Sequence, residues 1–297
     1  MMEMFDKRSN KERIGHLNKS ETLYHLKEAE EFLFRTLKRF GNKVAISYDV
    51  IANEIPYFKT LNYTEWAHCL MVHPLQQELR LKQVTDAYND NAEIKTDFIE
   101  YFRNKVLNGT NNKYDHIPKE LDPDTVYRKN LVVLVGSNKL KERVCLNKLK
   151  WIKTNYDGEV FFKPHPITTH QFVGELKDLF GSDTVLDRDS NMYAYMLRAD
   201  TVFTTHMTES ATYAICLDKT IEPIDVYHKA EQGSFYHINK FLFTESEPKV
   251  WLNRVLNSHK CGVFNPEIEL HWKDKLESYI EYILQTRDSF KNKYITK

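Results

Sequence analysis

From Asn130 to Ile224 short apolar runs alternate with amphipathic stretches, and this alternation constrains the fold more than any other feature of the chain. The runs are Leu131 to Val135, Val160 to Phe162, Thr184 to Leu186, Thr201 to Thr204 and Thr220 to Ile224. Helical patterns separate them at Lys139 to Thr154, Thr169 to Phe180, Asn191 to Leu197 and Ser210 to Leu217. Short uninterrupted runs belong to strands buried on both faces, and strand-helix repetition of this kind predicts a parallel, doubly wound sheet.

Such a sheet gathers ligands at the carboxyl ends of its strands. Three of those ends carry polar groups: Gly136-Ser137-Asn138 followed by Lys139; Lys163-Pro164-His165-Pro166; and Thr204-Thr205-His206 with Thr208-Glu209-Ser210. The prolines stop the second strand by removing ladder donors, which keeps Lys163 and His165 at its end. A cation, an imidazole, hydroxyls and the free N–H groups of helix starts suit a phosphate. Any one cluster is what ordinary turns and helix caps would give, with Thr208 or Ser210 capping the next helix; their common edge is what makes a site.

Before Asn130 the signals are weaker. Glu21 to Phe40 spaces Leu23, Leu26, Leu33, Leu37 and Phe40 as one face of a helix that Gly41 ends. Lys43 to Tyr48 and Ala67 to Val72 read as strands, the first leading to Asp49 and the second to His73-Pro74, with helices over Gln76 to Ala87 and Glu93 to Leu107. The polar segment from Asn108 to Asn130 predicts a linker, so residues 1–129 form one α/β domain and 130–297 a second. A helix over Leu270 to Leu284, with Trp272, Leu276, Tyr279, Ile280 and Ile283 on one face, is expected to return to the first domain.

Lysine plus arginine balance aspartate plus glutamate at 42 each, against a protein that binds by blanket phosphate contact. The four cysteines are widely spaced, as expected of reduced thiols in a cytoplasmic protein. The charged start MMEMFDKRSNKER lacks the apolar core of a signal peptide, and Leu131 to Val135 is far too short to span a membrane.

The residues FKPHP, Phe162 to Pro166, and the later run from Leu197 to Ile224 resemble the donor-binding domain of two-Rossmann (GT-B) glycosyltransferases with a His-Pro motif. That group includes bacterial sialyltransferases, capsule Kdo transferases and glycerophosphate-polymer transferases. The resemblance implies two Rossmann-like domains around a cleft, a nucleotide-sugar donor as co-substrate, and no further cofactor or essential metal. His165 with Pro166 would contact the donor's nucleotide or phosphate, and Thr208 with its neighbours would bind phosphate. Glu209 replaces the second hydroxyl of the family's Ser/Thr pair, and Tyr213 stands where many of these enzymes have a ribose-gripping glutamate.

Donor-binding candidates are therefore Gly136, Ser137, Lys139, Lys163, His165, Pro166, Thr205, His206, Thr208 and Ser210. The base that takes the acceptor's proton is expected at Asp49, at a strand's carboxyl end in the first domain, with Glu209 and His206 as competitors. Asp187-Arg188-Asp189 has the spacing of a metal motif, but capping of the helix near Asn191 explains Asp189. The acceptor is a surface glycan or a hydroxymethylated pyrimidine of phage-type DNA. DNA would require a basic strip such as Lys139, Lys141, Arg143, Lys148 and Lys150, or Lys7, Arg8, Lys11 and Arg13. A nucleotide-sugar 2-epimerase and a non-catalytic nucleotide-sugar-binding protein are the alternatives.

Overall fold

The computed structural model describes residues 24–41, 45–48, 60–110, 117, 129–135, 144–226, 233 and 235–295. The chain forms two compact units, Met1–Ile99 with Lys249–Lys297, and Glu100–Pro248. Unit 1 begins with α1 (Tyr24–Lys38), β1 (Ala45–Tyr48), β2 (Thr60–Trp66), β3 (Cys69–Pro74), α2 (Gln77–Asn89) and the first turn of α3 (Phe98–Leu107). Unit 2 holds β4 (Asn130–Val133), α4 (Leu146–Asn155), β5 (Val160–Lys163), α5 (His170–Phe180), α6 (Met192–Arg198), β6 (Thr201–Thr204), α7 (Ser210–Cys216), β7 (Thr220–Pro223) and α8 (Tyr236–Leu242). The chain then completes unit 1 with α9 (Pro248–Asn257), β8 (Val263–Phe264) and α10 (Trp272–Ile295).

Unit 2 carries the expected parallel sheet, in the order β5-β4-β6-β7 with every pairing parallel. The run at Thr184 to Leu186 makes only a parallel bridge, Val185 to Phe162, on the outer side of β5. In chain order the five segments lie 3-2-1-4-5, so the winding reverses between β4 and β6. Leu131, Val132, Phe162, Val202 and Phe203 are buried because α-helices cover both faces. Phe162 stacks on Phe180 of α5 at 4.2 Å. The outer strand β7 is polar and ends in Pro223, which suits an edge.

Unit 1 differs from the Rossmann-like domain expected there. Its sheet runs β1-β2-β3-β8, and only β1 and β2 are parallel. The cause is a two-residue hairpin: Trp66 pairs with Cys69, and the intervening Ala67 and His68 both take positive φ, 49° and 61°. Such turns are usually written Asn-Gly, so AHCLMV reads as one strand although the chain reverses inside it. His68 is held in the turn by its N–H, which donates to Glu65 Oε1 at 3.0 Å.

The helix over Leu270 to Leu284 lies in unit 1, as expected of its return to the first domain. Residues 249–297 belong to unit 1, because α10 supplies Trp272, Leu276, Tyr279, Ile280 and Ile283 to the core that α1, β2 and β3 build. The Tyr279 hydroxyl donates to Val72 O at 2.7 Å, and Gln83 of α2 donates to Cys261 O at 2.8 Å. All four thiols are free, and among the described residues no helix is long and apolar enough to cross a membrane.

Gly262 joins these parts. It has φ 75°, its carbonyl accepts from Val72 N–H at 2.7 Å, and an added Cβ would lie 2.1 Å from Val72 O and 2.8 Å from the Tyr279 ring. Gly262→Ala is expected to destabilise unit 1 by roughly 3 kcal/mol, as left-handed strain adds to overpacking. Denaturant unfolding checks this; a variant within about 0.5 kcal/mol of wild type refutes the close approach.

Candidate functional site at the carboxyl edge of the parallel sheet

The register of β6 with β7 sets the site. Thr204 lies opposite Pro223, so two residues further on His206 and Asp225 face each other past the strand ends. The His206 N–H donates to Asp225 Oδ1 at 2.8 Å, and His206 Nδ1 lies 2.9 Å from the same oxygen. A ring nitrogen facing a carboxylate must carry the proton, which fixes the Nδ1–H tautomer of the neutral ring. Tyr236 and Phe243 flank the imidazole at 5.4 and 4.6 Å, and its side chain keeps 15% exposure while that of Asp225 keeps 3%.

The loop after β6 is tied down from three sides. Asn239 of α8, fully buried, donates from Nδ2 to His206 O at 2.9 Å and to Thr208 O at 2.7 Å. Thr205 Oγ1 accepts from Met207 N–H at 3.1 Å. The hydroxyls of Thr204, Thr208 and Ser210 close a ring of mutual hydrogen bonds. In a closed ring each hydroxyl spends its one proton on a neighbour, so a phosphate that takes a proton from Thr208 must open it.

Neither Thr208 nor Ser210 caps α7 as expected. Glu209 occupies that position without a side-chain cap, and its carbonyl accepts from Thr212 and Tyr213 N–H. Tyr213 is fully buried between Phe102 and Tyr193, at 6.0 and 5.1 Å, and is a core residue of unit 2.

The end of β5 departs further from expectation. Lys163 was expected as a donor-binding cation, yet it is 2% exposed and its ammonium donates to Pro164 O at 2.7 Å and Arg188 O at 2.6 Å. It clasps the β5 turn to the Asp187-Arg188-Asp189 loop. Burial pushes its pKa down to about 7, against the opposing pull of Asp187 and Asp189. His165 and Pro166 form a turn closed by Thr168 N–H donating to His165 O at 2.9 Å. His165 remains partly exposed, and its Nδ1 accepts from Ile167 N–H at 3.3 Å, which puts the neutral ring's proton on Nε2.

Arg188 braces this turn by donating to Thr168 O at 2.6 Å, with its other nitrogen 3.0 Å from His170 Nε2. Asp187 Oδ1 accepts from Asp189 N–H at 2.9 Å, a local turn. Asn191, not Asp189, caps α6, through Tyr193 N–H at 3.0 Å.

The structure therefore gathers Thr205, His206, Thr208, Glu209 and Ser210 in one loop and sets His165 and Pro166 on the same sheet edge. Gly136, Ser137 and Lys139 lie outside the described residues, as does Asp49. So do Lys141, Arg143, Lys7, Arg8, Lys11 and Arg13 of the basic strips, while Lys148 is engaged by Glu222 at 3.3 Å. In unit 1 His73 is a satisfied structural histidine, with Nδ1 2.8 Å from Pro74 O and Nε2 3.2 Å from Asn62 Nδ2. Burial lowers its pKa to about 3. Two residues escaped the sequence reading: Asp225, a carboxylate just past a strand end like Asp49, and Asn239, on a helix without a sequence signal.

No protein-family model matches the chain, and no curated protein matches it. Among solved structures, Thermosulfurimonas dismutans KpsC, a beta Kdo 2,7 transferase, is similar over 74% of this chain and 79% of its own, with 15% identity and a TM-score of 0.41.

The Lys163 clasp has a pH signature. The folded amine loses its proton near pH 7, whereas the unfolded chain keeps it to about its ordinary value of 10.5. Across that window the unfolded state binds more protons, so folding stability rises with pH. Relative to Lys163→Met, the wild type should gain up to about 1.4 kcal/mol per pH unit between about pH 7 and pH 10, measured by urea unfolding. A constant difference between the two proteins across that window refutes the buried amine.

Proposed function

We propose that this protein is a glycosyltransferase that moves a sugar from a nucleotide-sugar to an acceptor hydroxyl. The observation that carries the reading is the reversal of the parallel sheet between β4 and β6, with a tied-down polar loop at the end of β6. Open parallel sheets bind phosphorylated ligands at that reversal, outside the carboxyl ends of the strands. The partly exposed His165, with Nε2–H as a donor, suits an oxygen of the donor's phosphate, and Thr208 supplies a hydroxyl to the same ligand. The His-Pro motif at the end of β5 supports a sugar nucleotide over other phosphorylated ligands, through the resemblance it carries.

The leaving phosphate is stabilised by protein groups in this reading. The acceptor is an alcohol of a glycan or of a hydroxymethylated base. Lys163 has no direct part in this reading, because its side chain is buried with two carbonyls as partners.

The test is nucleotide release from a panel of UDP-, GDP-, TDP- and CMP-linked sugars, with and without glycan and hydroxymethylated-DNA acceptors. Acceptor-dependent release from one donor is expected, and His165→Ala should weaken binding of that donor by about ten- to a hundredfold, the loss of one charge-assisted hydrogen bond. Turnover of a nucleotide-sugar without acceptor would instead identify an epimerase. Donor binding with no turnover under any condition would identify a binding protein.

A further inference from the structure

Transfer to a hydroxyl leaves a proton to be removed, and the β6 loop carries, beside the partly exposed Glu209, a histidine backed by a buried carboxylate. We propose that His206 Nε2 is the base that takes the acceptor's proton and that Asp225 is its positioning residue. This deepens the glycosyl-transfer reading and rests on it.

The geometry is that of a built dyad. Asp225 Oδ1 faces both His206 Nδ1 and the His206 backbone N–H, so backbone and ring are fixed by one oxygen. Tyr236 and Phe243 hold the ring plane, and Asn239 holds the carbonyls on either side of Met207. With Nδ1–H committed to the carboxylate, the neutral ring can act only as an acceptor at Nε2, and Nε2 has no hydrogen-bond partner among the described residues. Asp225 Oδ2 is buried and likewise without a partner among the described residues. Among the described residues the carboxylate is thus directed at the ring and backbone N–H of His206, the arrangement that stabilises an imidazolium once it forms. Capping a helix would not require the carboxylate to grip an imidazole, and core packing would not leave the ring partly exposed at a strand's carboxyl end.

In the step, the acceptor oxygen forms its bond to the sugar's anomeric carbon while the bond from that carbon to the phosphate oxygen breaks. The electron pair of the broken bond leaves with the nucleoside phosphate, and the acceptor's proton passes to Nε2 and from there to solvent.

The experiment uses the donor and acceptor that the wild-type chain turns over. His206→Ala should lose at least about a hundredfold in kcat with donor affinity, measured by calorimetry, within about threefold of wild type, and added imidazole should restore part of the loss. Asp225→Asn keeps an oxygen for both N–H groups and removes the charge; it should melt near the wild-type temperature and lose about tenfold or more in kcat. Nitrogen NMR, with the ring signal identified by its absence in His206→Ala, should show the Nδ1–H tautomer. Full kcat in His206→Ala, a loss that follows donor affinity without imidazole rescue, or an Nε2–H tautomer would overturn the dyad and leave glycosyl transfer standing. A wild-type chain that transfers nothing from any donor overturns both readings.

Discussion

A parallel sheet sends the carboxyl ends of all its strands to one edge, and the site of unit 2 depends on that constraint. No strand of the four contributes more than a few polar residues, and those residues are far apart in sequence. The shared direction of β6 and β7 converts a separation of nineteen positions between His206 and Asp225 into a 2.9 Å contact. Had β7 run the other way, Asp225 would stand at the opposite edge. The helices on both faces supply the burial that keeps the edge in place, and Asn239 adds the last restraint from outside the sheet.

How far the sequence revealed this follows from the physics of each element. Strands β4, β5 and β6 were legible because a strand covered on both faces is largely apolar and stops at a polar or proline end, and β7 from its place in the strand-helix alternation. Helices α1, α5 and α10 were legible from one-sided burial, and α6 from its place in the strand-helix alternation, although its cap is Asn191 and not Asp189. Strand β2 was not, since Ala67 and His68 turn the chain without the residues that usually signal a tight hairpin, and their cost is met by burial of both residues and the Glu65 contact. The apolar face of the last helix did signal its return to the first unit, whereas the limited first sheet is a tertiary fact that local patterns do not encode.

The candidate site divides in the same way. His165, His206 and Thr208 could be picked out from their places after strands, yet which of them face a ligand was decided by neighbours distant in sequence. Lys163 illustrates the difference: as the last residue of β5 it was read as an edge cation, and the carbonyls of Pro164 and Arg188 turn it into an internal clasp. Burying an amine there is tolerable because two acceptors and two nearby aspartates offset much of the desolvation. Thr208 and Ser210 show the reverse: read as caps, they are instead members of a hydroxyl ring with Thr204.

The division of the chain also bears on its biosynthesis. Everything that unit 2 requires has been synthesised before Val263–Phe264 and Trp272–Ile295 are made, whereas the first sheet lacks its β3 neighbour and a wall of its core until then. The apolar side of α1 and the β2-β3 hairpin must stay unsatisfied, and open to chaperones, for the time it takes to translate the whole intervening unit. The vectorial order of assembly is thus inverted: the part begun first is finished last.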